Sequence, residues 1–313
     1  MKALIKSSTC KSIPSRALIG GKGQQLAQLT RHGLPVPAWI CLSTAAFNHV
    51  TVPLLEKKVD SEADASALRQ EIVDALLPAD LQSELERAIT ELLQDSASGA
   101  ISIRSSATLE DDQSATYAGQ FDTFLGVTDV ATALDKTKAC WASLWSAHAQ
   151  HYHAQKDDPN QAAMAVILQT FIPADMAGVL FTANPVTQQT DECVIEASWG
   201  LGEPLVSGEI VPDHYVLQLD PETGAVIEVI TTQIGSKAEG LFWQADTKRL
   251  ERKPNLRYFQ QRPALQQEQL FQLAYLGRNV QNCFGTPQDI EWAIYQGELY
   301  LLQARPITTV VTR

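Results

Sequence analysis

The polar residues with the clearest chemical potential lie near the carboxyl end of the chain. Asp289 and Glu291 are two residues apart in one largely apolar segment, and Gln303 and Arg305 are two residues apart in the next. Carboxylate and amide oxygens are hard donors that suit Mg²⁺, and the guanidinium fork of Arg305 suits a phosphate oxygen. On one shared face these side chains could hold a metal-bound phosphate. The alternative is a surface ion pair on an ordinary hairpin.

A β-hairpin must position these side chains. Apolar and polar residues alternate over residues 289–294, which predicts a half-buried strand. Loop length decides the arrangement, because a one-residue slip turns every side chain of a strand to the other face. A two-residue turn at Gln296 and Gly297 would separate the acids from Gln303 and Arg305, whereas an odd-length loop puts all four on one face. Gly297 suits a three-residue loop, and we therefore expect the odd-length loop.

A glycine-rich segment with one lysine, residues 20–23, lies at the start of a helix whose buried side is marked by Leu26 and Leu29. Glycines let backbone amides approach an anion, and a helix N-terminus offers unpaired donors. Lys22 would add a mobile positive charge. The segment is not a Walker A loop, because no Ser or Thr follows the Gly-Lys pair. A plain glycine-rich turn that begins a helix is the alternative.

Arg104 follows a buried strand over residues 100–103 and is followed by a hydroxyl-rich segment that we interpret as a turn. A guanidinium at a strand end can reach a polyphosphate, and small hydroxyl residues allow a loop to fold over it. A salt bridge from Arg104 to the acids at residues 110–112 is the alternative.

Size and composition narrow the class of protein. A chain of 313 residues predicts two domains or one large lobed domain. The net charge of −12 argues against a nucleic-acid-binding surface, although not against binding one nucleotide. No apolar run approaches a membrane span, and no signal-peptide core is present. The five scattered cysteines form no CxxC pair, which favours reduced thiols in a cytoplasmic protein.

Seven blocks, taken together and in order, resemble the N-terminal nucleotide-binding domain of the family of pyruvate phosphate dikinase, phosphoenolpyruvate synthase and rifampicin phosphotransferase. They lie at residues 20–23, 35–37, 104–111, 118–123, 181–187, 199–203 and 289–308. The resemblance implies an α+β, ATP-grasp-like fold of two lobes with ATP clamped between them. We expect the lobes at residues 1–175 and 176–313.

The resemblance also implies contacts with ATP. Lys22 and Arg104 would hold its phosphates, and Arg305 would grip the transferring phosphate. Residues 169–172 would border the adenine, and the block at residues 118–123 would line the phosphate loop. The individual positions expected to contact the nucleotide are Gly21, Gly23, Gly119, Gln120, Thr123, Gln169, Thr170, Phe171 and Ile172.

For the metal, the resemblance implies Glu291 and Gln303 as Mg²⁺ ligands, with Asp289 in support. Family members pass the β-phosphate of ATP to a histidine on a separate domain, and none of the six histidines here lies in the glycine-rich Ser-His context of that domain. We expect an ATP-dependent phosphotransferase component that forms AMP and phosphate, with the phosphohistidine on a partner protein or on the rest of a longer enzyme. The alternatives are a stand-alone kinase or ligase that phosphorylates a small molecule and releases ADP, and a non-catalytic nucleotide sensor.

Overall fold

The computed structural model describes residues 3–6, 12–54, 62–108, 122–146 and 163–307. Helices and antiparallel sheets make the chain an α+β protein, and it divides into two compact units. Unit 1 comprises residues 1–27 and 38–171, and unit 2 comprises residues 28–37 and 172–313. The predicted boundary follows residue 175, and the membership of residues 28–37 in unit 2 was not expected from the sequence.

Unit 1 is built on a five-stranded antiparallel sheet in the order β1-β2-β5-β3-β4. Its strands are β1 (Leu4–Lys6), β2 (Trp39–Leu42), β3 (Ile101–Ala107), β4 (Thr123–Val127) and β5 (Met164–Thr170). Its helices are α2 (Thr44–Thr51), α3 (Glu62–Asp74), α4 (Ala79–Asp95) and α5 (Val130–Ala142), with a 3₁₀ turn at Ser143–Trp145. Helix α1 (Arg16–Arg31) begins in unit 1 and ends in unit 2.

One face of this sheet carries the hydrophobic core of unit 1. Ile101 and Ile103 of β3 pack there with Leu85 of α4 and Trp141 of α5, all fully buried. Leucine and isoleucine residues at helical spacing form the buried faces of α3 and α4, and Pro78 immediately precedes α4. Ser102, Arg104 and Ser106, which alternate with these isoleucines, therefore point to the opposite face of the sheet.

The predicted turn after Arg104 is wrong. Strand β3 continues through Ala107, and its pairing with β5 extends to the Ala107–Met164 pair. Ser105 and Ser106 are both buried, and the hydroxyl of Ser106 makes two hydrogen bonds to α1. A serine whose hydroxyl is satisfied by a neighbouring element can stay in a strand, because the cost of burying it is removed. Arg104 consequently lies within a central strand.

Unit 2 is built on a six-stranded antiparallel sheet in the order β13-β12-β6-β7-β8-β9. These strands are β6 (Met176–Phe181), β7 (Glu192–Trp199), β8 (Asp213–Leu219), β9 (Val226–Gln233), β12 (Gln288–Tyr295) and β13 (Glu298–Pro306). A separate hairpin is formed by β10 (Glu239–Gln244) and β11 (Arg249–Pro254). The helices are α6 (Glu203–Val206), α7 (Arg257–Gln260) and α8 (Gln267–Phe284).

The segment 28–37 is integral to unit 2. Leu29 is fully buried in the core that α8 forms with the six-stranded sheet. The Pro35 carbonyl accepts a hydrogen bond of 2.8 Å from the Leu301 amide of β13. The Gln28 side-chain amide donates to the Cys283 carbonyl at the end of α8, also at 2.8 Å. Unit 2 is thus assembled from two stretches of sequence that are far apart.

The final hairpin differs from the expected one in its loop. Tyr295 pairs with Glu298, so the turn has two residues, and both Gln296 and Gly297 have positive φ. The predicted three-residue loop is therefore wrong. A bulge in β13 supplies the odd residue instead: Trp292 pairs with Leu301 but Glu291 pairs with Gln303, which leaves Leu302 as the extra residue.

Gly178 allows close packing at the centre of the unit 2 sheet. It lies in β6, between Trp292 of β12 and Ala197 of β7. A Cβ atom at Gly178 would lie 1.8 Å from the Glu196 carbonyl oxygen and 2.7 Å from the Trp292 ring. The backbone atom cannot move aside without disturbing the sheet, so no larger side chain fits here.

We expect Gly178→Ala to lower the free energy of unfolding by about 1–3 kcal/mol, because the added methyl group overpacks a buried site. Urea denaturation measures the change. Gly202→Ala is the matched control, since a Cβ there meets the Ala177 Cβ at an ordinary 3.5 Å, and its cost should stay below about 1 kcal/mol. Equal losses in the two variants would contradict this account of the packing.

Candidate functional site

The four polar side chains of the final hairpin share one face of the unit 2 sheet. Asp289 pairs directly with Arg305, and Glu291 pairs directly with Gln303. Residues that face each other across an antiparallel ladder point to the same side, as do residues two apart in one strand. The sequence-based expectation of a shared face is confirmed. The opposite face of the hairpin carries the fully buried Trp292.

Arg305 is held by Asp289. Its Nε and Nη2 atoms both donate to Asp289 Oδ2, at 2.8 and 2.7 Å. The Asp289 side chain is only 11% exposed and that of Arg305 is 36% exposed. Hydrogen bonds between two ionised groups are among the stronger ones in proteins, and two bonds fix the guanidinium in orientation as well as position.

The surroundings of the Asp289 carboxyl group raise its pKa. Burial raises the pKa of Asp289, and the nearby carboxylates of Glu291 and Glu196 raise it further, whereas Arg305 lowers it. Without its arginine, this carboxyl group would face two other acids with little water around it. Arg305 is therefore the partner that favours the ionised form.

Glu196 was not singled out in the sequence. It lies in β7 next to Val179, which in turn pairs with Glu291, so all three side chains project from the same face. Its Oε1 atom is 3.4 Å from the Nδ1 atom of His214 in β8. The available signal was that Glu196 is the single charged residue of the segment 193–198.

The donor set of this face fits a magnesium ion. Glu291 and Gln303 present a carboxylate and an amide oxygen from adjacent strands, and both side chains are half-buried. Mg²⁺ typically takes one or two protein ligands and completes its shell with water and phosphate oxygens. Within the described ranges, no group of three His, Cys, Asp or Glu side chains could hold a metal on its own. Because Asp289 already bonds to Arg305, its support of the metal stays a prediction.

In unit 1, the glycine-rich segment lies inside α1 at a sharp kink. Gly20 has φ 69° and ψ −179°, a conformation essentially restricted to glycine, and regular helix resumes after it. Gly21, Lys22 and Gly23 thus form the first turn of the following helix. The Gly23 amide donates to the Ser106 hydroxyl at 3.0 Å, so it is already used within the protein.

The predicted nucleotide contacts of β3, β4 and β5 fall mainly on one face of the unit 1 sheet. Arg104 pairs with Thr123 of β4, and Gln169 of β5 pairs with Ser102, which is two residues before Arg104. Arg104, Thr123 and Gln169 therefore project from the face opposite the core of unit 1. Thr170 points the other way, and its hydroxyl donates to the Ala38 carbonyl at 3.3 Å.

Gln169 carries an unsatisfied polar atom. Its side chain is 1% exposed, and its Nε2 atom has no hydrogen-bond partner. A buried amide donor without an acceptor costs free energy, and a ligand acceptor such as an adenine ring nitrogen would satisfy it. Phe171 is buried directly after β5, and Ile172 begins the second stretch of unit 2.

The two remaining predicted contacts, Gly119 and Gln120, lie outside the described residues.

The four cysteines in the described part of the chain belong to neither set of residues. Cys41, Cys140, Cys193 and Cys283 are free thiols. Burial raises the pKa of the Cys193 thiol to about 12 and also raises that of Cys140, so both are held in the unreactive protonated form. Among the described helices, none combines the length and apolar character needed to cross a membrane.

Comparison with known proteins places this chain among the relatives of phosphoenolpyruvate synthase and rifampicin phosphotransferase. A family model described as the pyruvate phosphate dikinase AMP/ATP-binding domain matches residues 16–313. A probable phosphoenolpyruvate synthase of Methanothermobacter thermautotrophicus is 36% identical over 312 residues, covering 94% of this chain and 44% of that protein. A rifampicin phosphotransferase of Bacillus cereus is 34% identical, covering 94% and 34%. A prodigiosin synthesizing transferase of Serratia marcescens is 37% identical, covering 93% and 32%. This chain thus spans less than half the length of each of these relatives.

The raised pKa of Asp289 makes a pH-dependent contribution to stability. Because the folded state binds this proton more tightly than the unfolded state, the contribution is fully present below the unfolded pKa, near 3.8, and is lost as pH rises through the folded pKa. We expect the free energy of unfolding of the wild type, minus that of Asp289→Asn, to fall as pH rises above 3.8. Urea titrations at several pH values measure this difference, and a difference that grows with pH would contradict the burial of this carboxyl group.

Proposed function

The chain belongs to the pyruvate phosphate dikinase AMP/ATP-binding domain family, and from this premise we propose that it binds Mg²⁺–ATP and transfers a phosphoryl group from it. The observation that carries the proposal is the shared face of the final hairpin. There, Glu291 and Gln303 provide oxygen donors beside an arginine that Asp289 holds in place. A metal-binding pair next to a fixed guanidinium is the combination that phosphoryl transfer requires.

Each predicted group has a defined task. Glu291 and Gln303 would hold the Mg²⁺ ion, which when bound neutralises the charge that develops on the phosphate oxygens. Arg305 binds the transferring phosphoryl group through the edge of its guanidinium that faces away from Asp289, and Asp289 keeps the guanidinium in orientation. Lys22 and Arg104 bind the remaining phosphate oxygens. The contact of residues from both units with one nucleotide, as in an ATP-grasp-like clamp, is part of this proposal.

The buried Gln169 amide supports a nucleotide rather than a simple phosphate ester. Its unsatisfied Nε2 atom lies on the same sheet face as Arg104, two rungs along the ladder. A base acceptor at Gln169 and phosphates at Arg104 would lie along one face of the sheet. Thr123, the cross-strand partner of Arg104, would contact the phosphates from β4.

For the reaction itself, we propose that the β-phosphoryl group passes from the AMP moiety of ATP to a histidine and that water accepts the γ-phosphoryl group, so that AMP and phosphate are the products. The acceptor histidine would lie on the part of the relatives' length that this chain does not span, or on a separate partner protein. Such a division leaves this chain with ATP binding and activation. A small-molecule kinase that releases ADP and a nucleotide sensor without turnover are the competing outcomes.

ATP labelled separately at the β- and γ-phosphates distinguishes these outcomes. The chain is incubated with Mg²⁺ and each labelled ATP, with and without the phosphohistidine-carrying part of a relative, and nucleotide products and labelled protein are separated. AMP, labelled phosphate from the γ-position and β-label on the added protein are expected. ADP as the product would establish the kinase reading, and binding without turnover in every mixture would establish the sensor.

We expect Glu291→Ala to reduce metal-dependent turnover at least about a hundredfold, because a metal ligand is lost. Its free energy of unfolding should change by no more than about 1 kcal/mol, since the side chain is only half-buried. Glu298→Ala is the matched control: it removes the same side chain from the exposed first residue of β13 and should leave turnover unchanged. Unchanged turnover in Glu291→Ala would rule out the metal assignment.

A further inference from the structure

Ser106 joins the strand that carries Arg104 to the helix turn that carries Lys22. Its side chain is completely buried in β3. The hydroxyl donates to the Ile19 carbonyl at 2.8 Å and accepts a hydrogen bond from the Gly23 amide at 3.0 Å. One oxygen atom is thus bonded on both sides of the kink in α1.

The contact between the two elements is as close as backbone allows. A Cβ atom at Gly20 would lie 2.1 Å from the Ser106 carbonyl oxygen and 2.3 Å from its hydroxyl oxygen. The positive φ of Gly20 and the absence of its side chain are both required for this approach. The position of the helix turn relative to β3 is therefore fixed by this close contact.

The hydroxyl of Ser106 acts as the N-terminal cap of the helix that follows Gly20. Gly20 occupies the N-cap position of the helix that follows the kink, and Gly21, Lys22 and Gly23 are its first three residues. An N-cap side chain normally accepts a hydrogen bond from the second or third amide of the helix. Glycine has no side chain, and the Ser106 hydroxyl, from a strand more than eighty residues away, accepts from the third amide instead.

We propose that Ser106 is a positioning residue for ATP: through this cap it sets the place of Lys22 relative to Arg104. Arg104 lies two residues before Ser106 on the same face of β3, and Lys22 lies between the two α1 residues that Ser106 binds. The Ser106 hydroxyl therefore links the two elements that carry the proposed phosphate-binding cations of unit 1. This inference rests on the proposed function, because it assumes that Lys22 and Arg104 bind the phosphates.

A purely structural serine would behave differently. Loss of its hydrogen bonds would lower stability but would leave the affinity of the folded protein for every nucleotide unchanged. A positioning residue affects only ligands that reach the two cations. ATP carries the phosphates and adenosine does not, so comparison of these two ligands separates the roles.

The experiment measures the Kd of Mg²⁺–ATP and of adenosine by calorimetry for the wild type, Ser106→Ala and Ser106→Cys. We expect Ser106→Ala to weaken ATP binding about fivefold or more, the equivalent of one lost cap, with adenosine affinity unchanged. Ser106→Cys should lie between, because a thiol is a weak donor and acceptor of similar shape. If the alanine variant does not fold, the cysteine variant and the wild type decide.

Ser105→Ala is the matched control. Ser105 is equally buried in β3 but points to the opposite face of the sheet, and its replacement should leave both affinities unchanged. Equal ATP affinity in the wild type and the Ser106 variants overturns the positioning role while the proposed function stands. A parallel loss for ATP and adenosine also overturns it. If the wild type binds no ATP, the proposed function fails and the role of Ser106 fails with it.

Discussion

The pleat of a β-strand offers each side chain only two directions, and the candidate metal site depends on this parity. The two-residue turn alone would send Gln303 and Arg305 towards the core, where Trp292 and Ile290 are packed. The extra residue in β13, Leu302, reverses the direction of everything after it. A bulge beside a polar site is a recurring way to redirect side chains without changing the rest of a sheet. The candidate metal-binding pair and the arginine are brought together by this one irregularity.

Both candidate sets of residues are held by polar contacts that would be costly to break. In unit 2, the Asp289 carboxylate is tolerated beside other acids because Arg305 donates to it twice. In unit 1, the buried Ser106 hydroxyl both donates and accepts. Gln169 is the contrasting case, since its buried Nε2 atom lacks an acceptor. A protein that leaves such a donor unsatisfied loses stability, and ligand binding can recover that loss.

Local sequence patterns predicted much of the fold but not the details that depend on distant residues. Alternation over residues 289–294 identified the hairpin strand, and the buried leucines after the glycine-rich segment identified the helix that follows it. The loop type was wrong because a bulge elsewhere in the hairpin changes the parity, and nothing in the spacing of apolar residues marks Leu302 as the extra residue. The strand after Arg104 was interpreted as a turn because serines favour turns locally; only α1, packed against β3, explains why Ser106 stays extended. The family resemblance is confirmed, whereas the individual site residues stay predictions.

The assembly of unit 2 from two stretches has a consequence for how the chain can be divided. A cut after residue 171 would release a carboxyl-terminal fragment without Leu29, which fills its core, and without Pro35, which satisfies an amide of β13. Such a fragment would lack one fully buried core side chain and would leave the Leu301 amide of β13 without its acceptor. The two units therefore do not follow one another as two continuous segments of sequence. Expressing unit 2 separately requires joining residues 28–37 to the stretch that begins at residue 172.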